Sequence, residues 1–295
     1  MESKNPSWGN STVDKNNFIS IVIKLGKVDR RVIFLLIAVV VLLPLLFPIG
    51  LPIRATDTTQ RSFNAVDALG QGDKLLLSFE YGPSTKPEIH PMAEAVLHHA
   101  FSKGMKVYIV CLWPDGQFMA IDALNAIAPQ YNAVYGEDYV LLGFRPGGEA
   151  VVKGITSNLR KLYTVDYQNT LVESIPMMQG VNSLADFKLI FSFSAGYPGT
   201  VEWVQYGSDP TGVPMSTGTA SIQVNEIIPY ENAGQLRGVI AGMPGAAEYE
   251  ALIGKKGLGT SGMDAQSIAH LVIVLFIIFG NITYFLERRR SEKKY

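Results

Sequence analysis

Four short loops hold the polar side chains in this sequence whose types and spacing suit chemistry. Gly82-Pro83-Ser84-Thr85 follows Glu80 and Tyr81, and Pro114-Asp115-Gly116 follows Trp113. Arg145-Pro146-Gly147-Gly148 is the third, and Ala195-Gly196-Tyr197-Pro198-Gly199, after Ser192 and Ser194, is the fourth. Each loop leads into helix-like sequence, and the free N–H groups of a helix start favour anions. Arg145 would add forked donors to that preference. Glu80, Ser84, Thr85, Asp115, Arg145, Gly147 and Ser194 are therefore the candidate ligand-binding residues, and a small anion is the ligand they would suit. The competing reading is that these glycines only turn the chain, as any strand-to-helix connection requires.

Other constellations are weaker. His90, Glu94 and His98 recur at spacings of four, which suggests metal ligands. On a helix, however, they lie away from the apolar face and should point at solvent. Two histidines eight residues apart sit about 12 Å apart along the axis, too far for one zinc with bonds near ~2 Å. No metal site is assigned. Ser78, Ser192 and Ser194, with Glu80, Asp115 and His90, supply the ingredients of a serine hydrolase, but no spacing unites nucleophile, base and orienter. No catalytic residue is assigned either. The sequence is read as carrying no G-x-G-x-x-G dinucleotide fingerprint, no Walker A loop and no G-x-S-x-G elbow. Dehydrogenase and kinase chemistry are thus disfavoured, and no cofactor is expected.

The elements that must position these loops are short apolar runs: Lys74–Tyr81, Met105–Trp113, Asp138–Phe144 and Phe187–Ser194. Near-continuous apolar strands are buried on both faces, as in parallel sheets. Their alternation with helices implies βαβ units. The expected fold is a three-layer, Rossmann-like α/β domain with a mostly parallel sheet, flanked by two transmembrane helices. Ser221–Ile228 is a candidate fifth strand. Ile89, Met92, Ala93, Val96 and Ala100 form one apolar helix face that Gly104 should terminate. A second helix near Gln117–Ala128 spreads Phe118, Met119, Ile121, Leu124 and Ile127 around its circumference, so it is either deeply buried or covered by another protein. A helix is expected within residues 157–185 and a loop over 207–220. Residues 234–253 read as helical and divided at Pro244, and Gly254–Gly262 as a flexible tether.

Val32–Ile53 is an uncharged run of 22 residues and Ile268–Leu286 a run of 19, each long enough to span a bilayer. Mean hydropathy is +0.17, and only 17% of residues are charged, against about a quarter in soluble domains. Residues 1–31 and 287–295 each carry a net +3, leaving −7 between. Basic flanks stay cytoplasmic, so residues 1–31 and 287–295 should be cytoplasmic and residues 32–53 and 267–286 the spans. Residues 54–266 would then form an extracytoplasmic domain on the cell (inner) membrane. Pro44, Pro48 and Pro52 give the first span either a notched, kinked outer half or an end near Phe47. Asn281 should find a partner on the other span or another subunit, or snorkel to the interface. Phe18–Leu25 is a weak candidate for an interfacial segment.

One cysteine, Cys111, excludes a disulfide scaffold, and a net charge of −1 argues against nucleic acid as partner. With no catalytic signature and polar or kinked features in both spans, the leading expectation is a non-enzymatic binding or assembly component of an envelope or membrane complex. Its partner would be another protein or further copies of itself, met through the transmembrane helices and the external domain. A small-anion sensor ranks second and an envelope serine hydrolase third.

Overall fold

A computed structural model describes residues 29–292. The segment 1–28, with most of the first basic flank and Phe18–Leu25, lies outside the described residues, as does 293–295 with Lys293 and Lys294 of the tail. The chain divides into two units, one spanning Pro48–Met263 and the other comprising the residues before it and after it.

In the larger unit six parallel strands form one sheet: β1 (Lys74–Glu80), β2 (Lys106–Cys111), β3 (Tyr139–Phe144), β4 (Leu189–Ser194), β5 (Met215–Thr219) and β6 (Val239–Ala241). Their order is β3-β2-β1-β4-β5-β6. Each of the first four falls within an apolar run of the sequence, and the sheet is Rossmann-like and parallel throughout. Alternate side chains of β1 enter different cores. Leu75, Leu77 and Phe79 pack with helices α2 (Asp57–Asp67), α3 (Lys86–Ser102), α4 (Pro114–Ile127) and α8 (Gly242–Leu252). Leu76 packs on the other face with α5 (Glu149–Leu162), α6 (Thr200–Trp203) and α7 (Val224–Asn232).

Several local expectations fail, each for a physical reason. Ser221–Ile228 is not a strand: Ser221–Gln223 is a 3-10 turn and Val224 opens α7. The fifth strand is instead Met215–Thr219, in the stretch that reads as a loop, and the sixth lies in the stretch that reads as helix. MSTGT has little apolar character, yet all five residues are buried, and Gly218 leaves room for Met92 and Phe193. Residues 157–185 hold no central helix. After α5 the chain runs through 3-10 turns at Val172–Ser174, Pro176–Met178 and Leu184–Asp186. This segment is pinned rather than loose: Tyr108 Oη donates to the Met177 carbonyl at 2.6 Å and Arg160 Nε to that of Val181 at 2.8 Å.

The histidine face of α3 is also corrected. His90 is only 2% exposed, because α4 and α8 flank α3 and leave it little solvent-facing surface. Gly104 does follow the helix in the left-handed region, φ +68. On α4 most apolar residues are buried, while Phe118 is 64% exposed.

Gly254–Gly262 is not a flexible tether. Helix α9 (Leu258–Glu292) begins inside it. The carboxylate of Glu250 accepts the N–H groups of Gly257, Gly259 and Thr260 at 2.7–2.9 Å, and the Thr260 hydroxyl at 2.6 Å. An acidic side chain thus satisfies donors that a helix start leaves open. The expectation of no G-x-G-x-x-G is also corrected: Gly257-Leu258-Gly259-Thr260-Ser261-Gly262 has that spacing, but it follows a helix instead of a strand, and Glu250 occupies its donors. Glu248, two residues earlier on α8, accepts the N–H and hydroxyl of Thr56 at 3.0 and 2.7 Å. Both ends of the larger unit are therefore fastened to one helix by buried carboxylates.

In the smaller unit, α1 (Arg30–Leu46) has 17 residues and contains Pro44. It ends at Leu46 with Phe47 as its cap and Pro48 and Pro52 beyond, so the first apolar run forms a shorter helix than its 22 residues suggest. Among the described residues one helix, Leu258–Arg289, is long and apolar enough to cross a membrane, where two were expected. Asn281 finds its partner on its own helix, donating to the Ile277 carbonyl at 2.9 Å.

Candidate functional site

The strand order reverses direction between β1 and β4, so the loops leaving these two strands part at the carboxyl end of the sheet. In open α/β sheets that divergence forms the ligand crevice. The face of the sheet below it has three registered rows across β1, β4 and β5: Leu76–Ile190–Met215, Ser78–Ser192–Thr217 and Glu80–Ser194–Thr219. Side chains two apart share a face, so an apolar core gives way to hydroxyls, and then to a carboxyl, within two steps.

Glu80 is completely buried. Ser78 Oγ and Trp203 Nε1 (3.1 Å) donate to its Oε1, and Ser192 Oγ (2.9 Å) to its Oε2. Desolvation pushes its pKa up to about 8 against the pull of these donors, with Glu202 adding a smaller push. Near neutral pH the carboxyl therefore carries a proton in the fold. Ser192 Oγ lies 3.5 Å from Thr200 Oγ1, which pairs with Thr217 Oγ1 at 2.7 Å, and Thr217 donates to the Ser192 carbonyl at 2.9 Å. A polar thread thus runs from Trp203 through Glu80 to Thr200.

Thr200 also lines the cavity between the loops after β4 and β5. It holds ≈ 130 Å³, with walls that include Ser194, Tyr197, Glu202, Gln223 and Glu226. That is well below the about 300–1,000 Å³ of typical small-molecule sites. The crevice is narrowed by its own residues: Trp113 Nε1 donates to the Pro198 carbonyl at 2.8 Å. Gly196 lies against the Trp113 ring, where a side chain would come within 3.3 Å of it.

The candidate residues divide into groups. Ser194 lines this cavity and Glu80 lies beneath it. Asp115 is exposed at the start of α4, close against Gly82. Ser84 is exposed, and Thr85 stands at the N-cap of α3 with its hydroxyl directed to the Gly82 carbonyl at 3.3 Å. Arg145 turns toward the β3 edge: it donates to the carbonyls of Phe144 (3.4 Å) and Val165 (3.3 Å) and lies over the Tyr163 ring at 5.2 Å. Gly147, in the loop after β3, is exposed with φ +133. The structure therefore unites Glu80 with Ser192 and Ser194, and leaves Arg145 and Gly147 outside that cavity. Its walls carry two carboxylates and no basic side chain.

Each domain histidine is matched with a tyrosine. Nδ1 of His90, His98 and His99 lies 2.8, 3.0 and 2.9 Å from the hydroxyls of Tyr81, Tyr131 and Tyr249. None of these imidazoles is hydrogen-bonded to Ser78, Ser192 or Ser194 among the described residues. His90 Nε2 also approaches Glu94 and Asp122, each at 3.4 Å. Among the described residues no group of three His, Cys, Asp or Glu side chains could hold a metal. Burial pushes the Cys111 thiol well up, which makes it a poor nucleophile.

Trp203, Thr200 and Glu202 were not anticipated. They belong to a four-residue helix without hydrophobic periodicity, and the signals of a polar face were the alternate residues Ser78 and Glu80 on β1 and Ser192 and Ser194 on β4. The chain matches no protein-family model, no curated protein and no solved structure.

Proposed function

We propose that this chain is a two-span membrane-anchored protein whose α/β domain lies outside the cytoplasm. It acts by binding, as a non-enzymatic component of a membrane or envelope complex. The apolar helix Leu258–Arg289 and the +3 at either end of the sequence support the anchoring and its direction. For the first span the support is the sequence: α1 supplies 15 uncharged residues, Val32–Leu46, short of the about 17–25 of a spanning helix, and the uncharged run continues to Ile53.

One observation carries the binding role. At the carboxyl end of the sheet, exposed apolar side chains accompany the small cavity, Tyr197 at 73% and Ile222 at 88%, and Phe118, one turn into α4, is 64% exposed. They come from the connections after β2, β4 and β5. Tyr197 lines the cavity, and Ile222 precedes Gln223, which also does. Exposed aromatic and aliphatic side chains at a functional end suit a macromolecular contact better than a small ligand. The two carboxylates in the cavity wall count against an anion sensor there, and the histidine–tyrosine pairs count against a serine hydrolase.

A photoreactive side chain at position 222 of the full-length protein, activated in its own membrane, tests this. A discrete adduct that Tyr197→Asp abolishes is the expected result. Absence of any adduct, together with a lone monomer in mild detergent, would refute it.

A further inference from the structure

The opposite end of the sheet carries a row of cations. Lys74 opens β1, Lys106 opens β2 in register with it, and Lys188 immediately precedes β4. Arg237 precedes β6, its backbone N–H bonded to the Met215 carbonyl at 2.7 Å. Cations at this end are ordinary in one sense, because the helix C-termini gather there and favour positive charge. The row is nevertheless unequal. Lys106 pairs with Asp138 at 2.9 Å, neighbouring Lys103 pairs with Asp67 at 2.9 Å, and Lys74 reaches the Gly180 carbonyl at 3.4 Å. The Lys188 and Arg237 side chains have no hydrogen bond or ion pair among the described residues, and both are exposed.

These two unpaired cations line the same cavity, of ≈ 430 Å³, against ≈ 130 Å³ at the carboxyl end. Its remaining walls are apolar (Ala65, Ala68, Leu69, Leu189 and Pro214) except for Asp73. The Asp73 carboxylate accepts the Gly70 N–H at 2.8 Å, and against its one negative charge the two cations leave the lining basic by one. Two free cations over an apolar floor define a complementary ligand: an anionic head on a compact apolar body. A bare anion would leave the floor unused, and a neutral amphiphile would leave the charges unused.

We propose that the cavity at the amino end of the sheet binds a small amphiphilic anion, an alkyl or aryl phosphate or carboxylate. Lys188 and Arg237 hold the head, and Ala65 on α2 with Ala68 and Leu69 just beyond it receive the body. This site is separate from the carboxyl end of the sheet, so neither proposal depends on the other.

The test uses the full chain in phosphatidylcholine nanodiscs, with hexyl phosphate and hexanoate as probes titrated calorimetrically against empty discs. Saturable binding of at least one probe is expected, with inorganic phosphate and hexanol each weaker. Arg237→Ala or Lys188→Ala should weaken the probe by about tenfold each, the loss of one charge-assisted contact, while the melting temperature without ligand stays unchanged. Discs containing phosphatidylglycerol separate the sources: competition identifies a lipid head and chain, and lack of competition a soluble ligand. Failure of both probes to saturate, or equal affinity in the double variant, would overturn the proposal. Crosslinking from position 222 should be unaffected by either substitution, which keeps this failure distinct from that of the partner-binding role.

Discussion

At the carboxyl end of the sheet the chain fills its own crevice, with Trp113 bonded to Pro198 and Glu80 enclosed by Ser78, Ser192 and Trp203. At the amino end, Lys188 and Arg237 stand unpaired beside the larger cavity. The usual expectation for an open α/β sheet is the reverse, with the ligand space at the carboxyl end. The difference teaches that fold alone does not place function. Here the buried polar groups beneath the switch point are committed to one another, and two uncommitted cations lie at the other end.

Breaking the carboxyl end should cost most. Trp203→Ala removes a fully buried ring and a donor to Glu80, and about 3–5 kcal/mol of stability should go with it. Chemical denaturation of the full chain measures this. A loss under about 1 kcal/mol would mean that the thread from Trp203 to Thr200 does not hold that end together.

The next effect is a pH dependence. The folded pKa of Glu80, about 8, exceeds its ordinary value of 4.5, so the folded state keeps a proton that the unfolded chain releases. Its contribution is complete below pH 4.5 and is lost as pH rises toward 8. The total is on the order of a few kcal/mol. Wild type should therefore melt higher at pH 5 than at pH 8, and Glu80→Gln, which cannot ionise, should flatten that slope. An unchanged slope would place the ionisation elsewhere.

The amino end should behave oppositely. Lys188→Ala with Arg237→Ala breaks no bond in the fold, so stability should stay within about 0.5 kcal/mol of wild type. A larger loss would show that the two cations are structural. Ile222→Asp should have the smallest effect, leaving the melting temperature unchanged, because the side chain is 88% exposed. Its consequence should appear only in assembly size, measured by sedimentation in mild detergent.

How much was legible follows from what each element uses to fold. β1 to β4 announce themselves because strands buried on both faces must be continuously apolar. β5 does not, since its MSTGT is buried although mostly small and polar, with Gly218 admitting Met92. The three residues of β6 are too few for any period. Glu80 and Ser194 were legible as the carboxyl ends of β1 and β4, but the enclosure of Glu80 by Ser78, Ser192 and Trp203 was not, because it depends on a helix far along the chain. Arg145 was legible as a loop cation, but not its turn toward Val165, which depends on the irregular segment after α5. His90 was assigned to solvent from helical angles alone, and those angles cannot register the helices packed beside α3. Likewise the glycines of 254–262 signal freedom, and only the fold brings Glu250 to them.

The location of the domain decides which partners are available, and one label reads it directly. Cys111 is the only cysteine in the sequence and is buried, so an introduced thiol reports without background. Ser84→Cys, at an exposed loop position, should react with a membrane-impermeant maleimide on intact cells, after opening of an outer membrane where one exists. Reaction only after the cytoplasmic membrane is lysed would contradict the account.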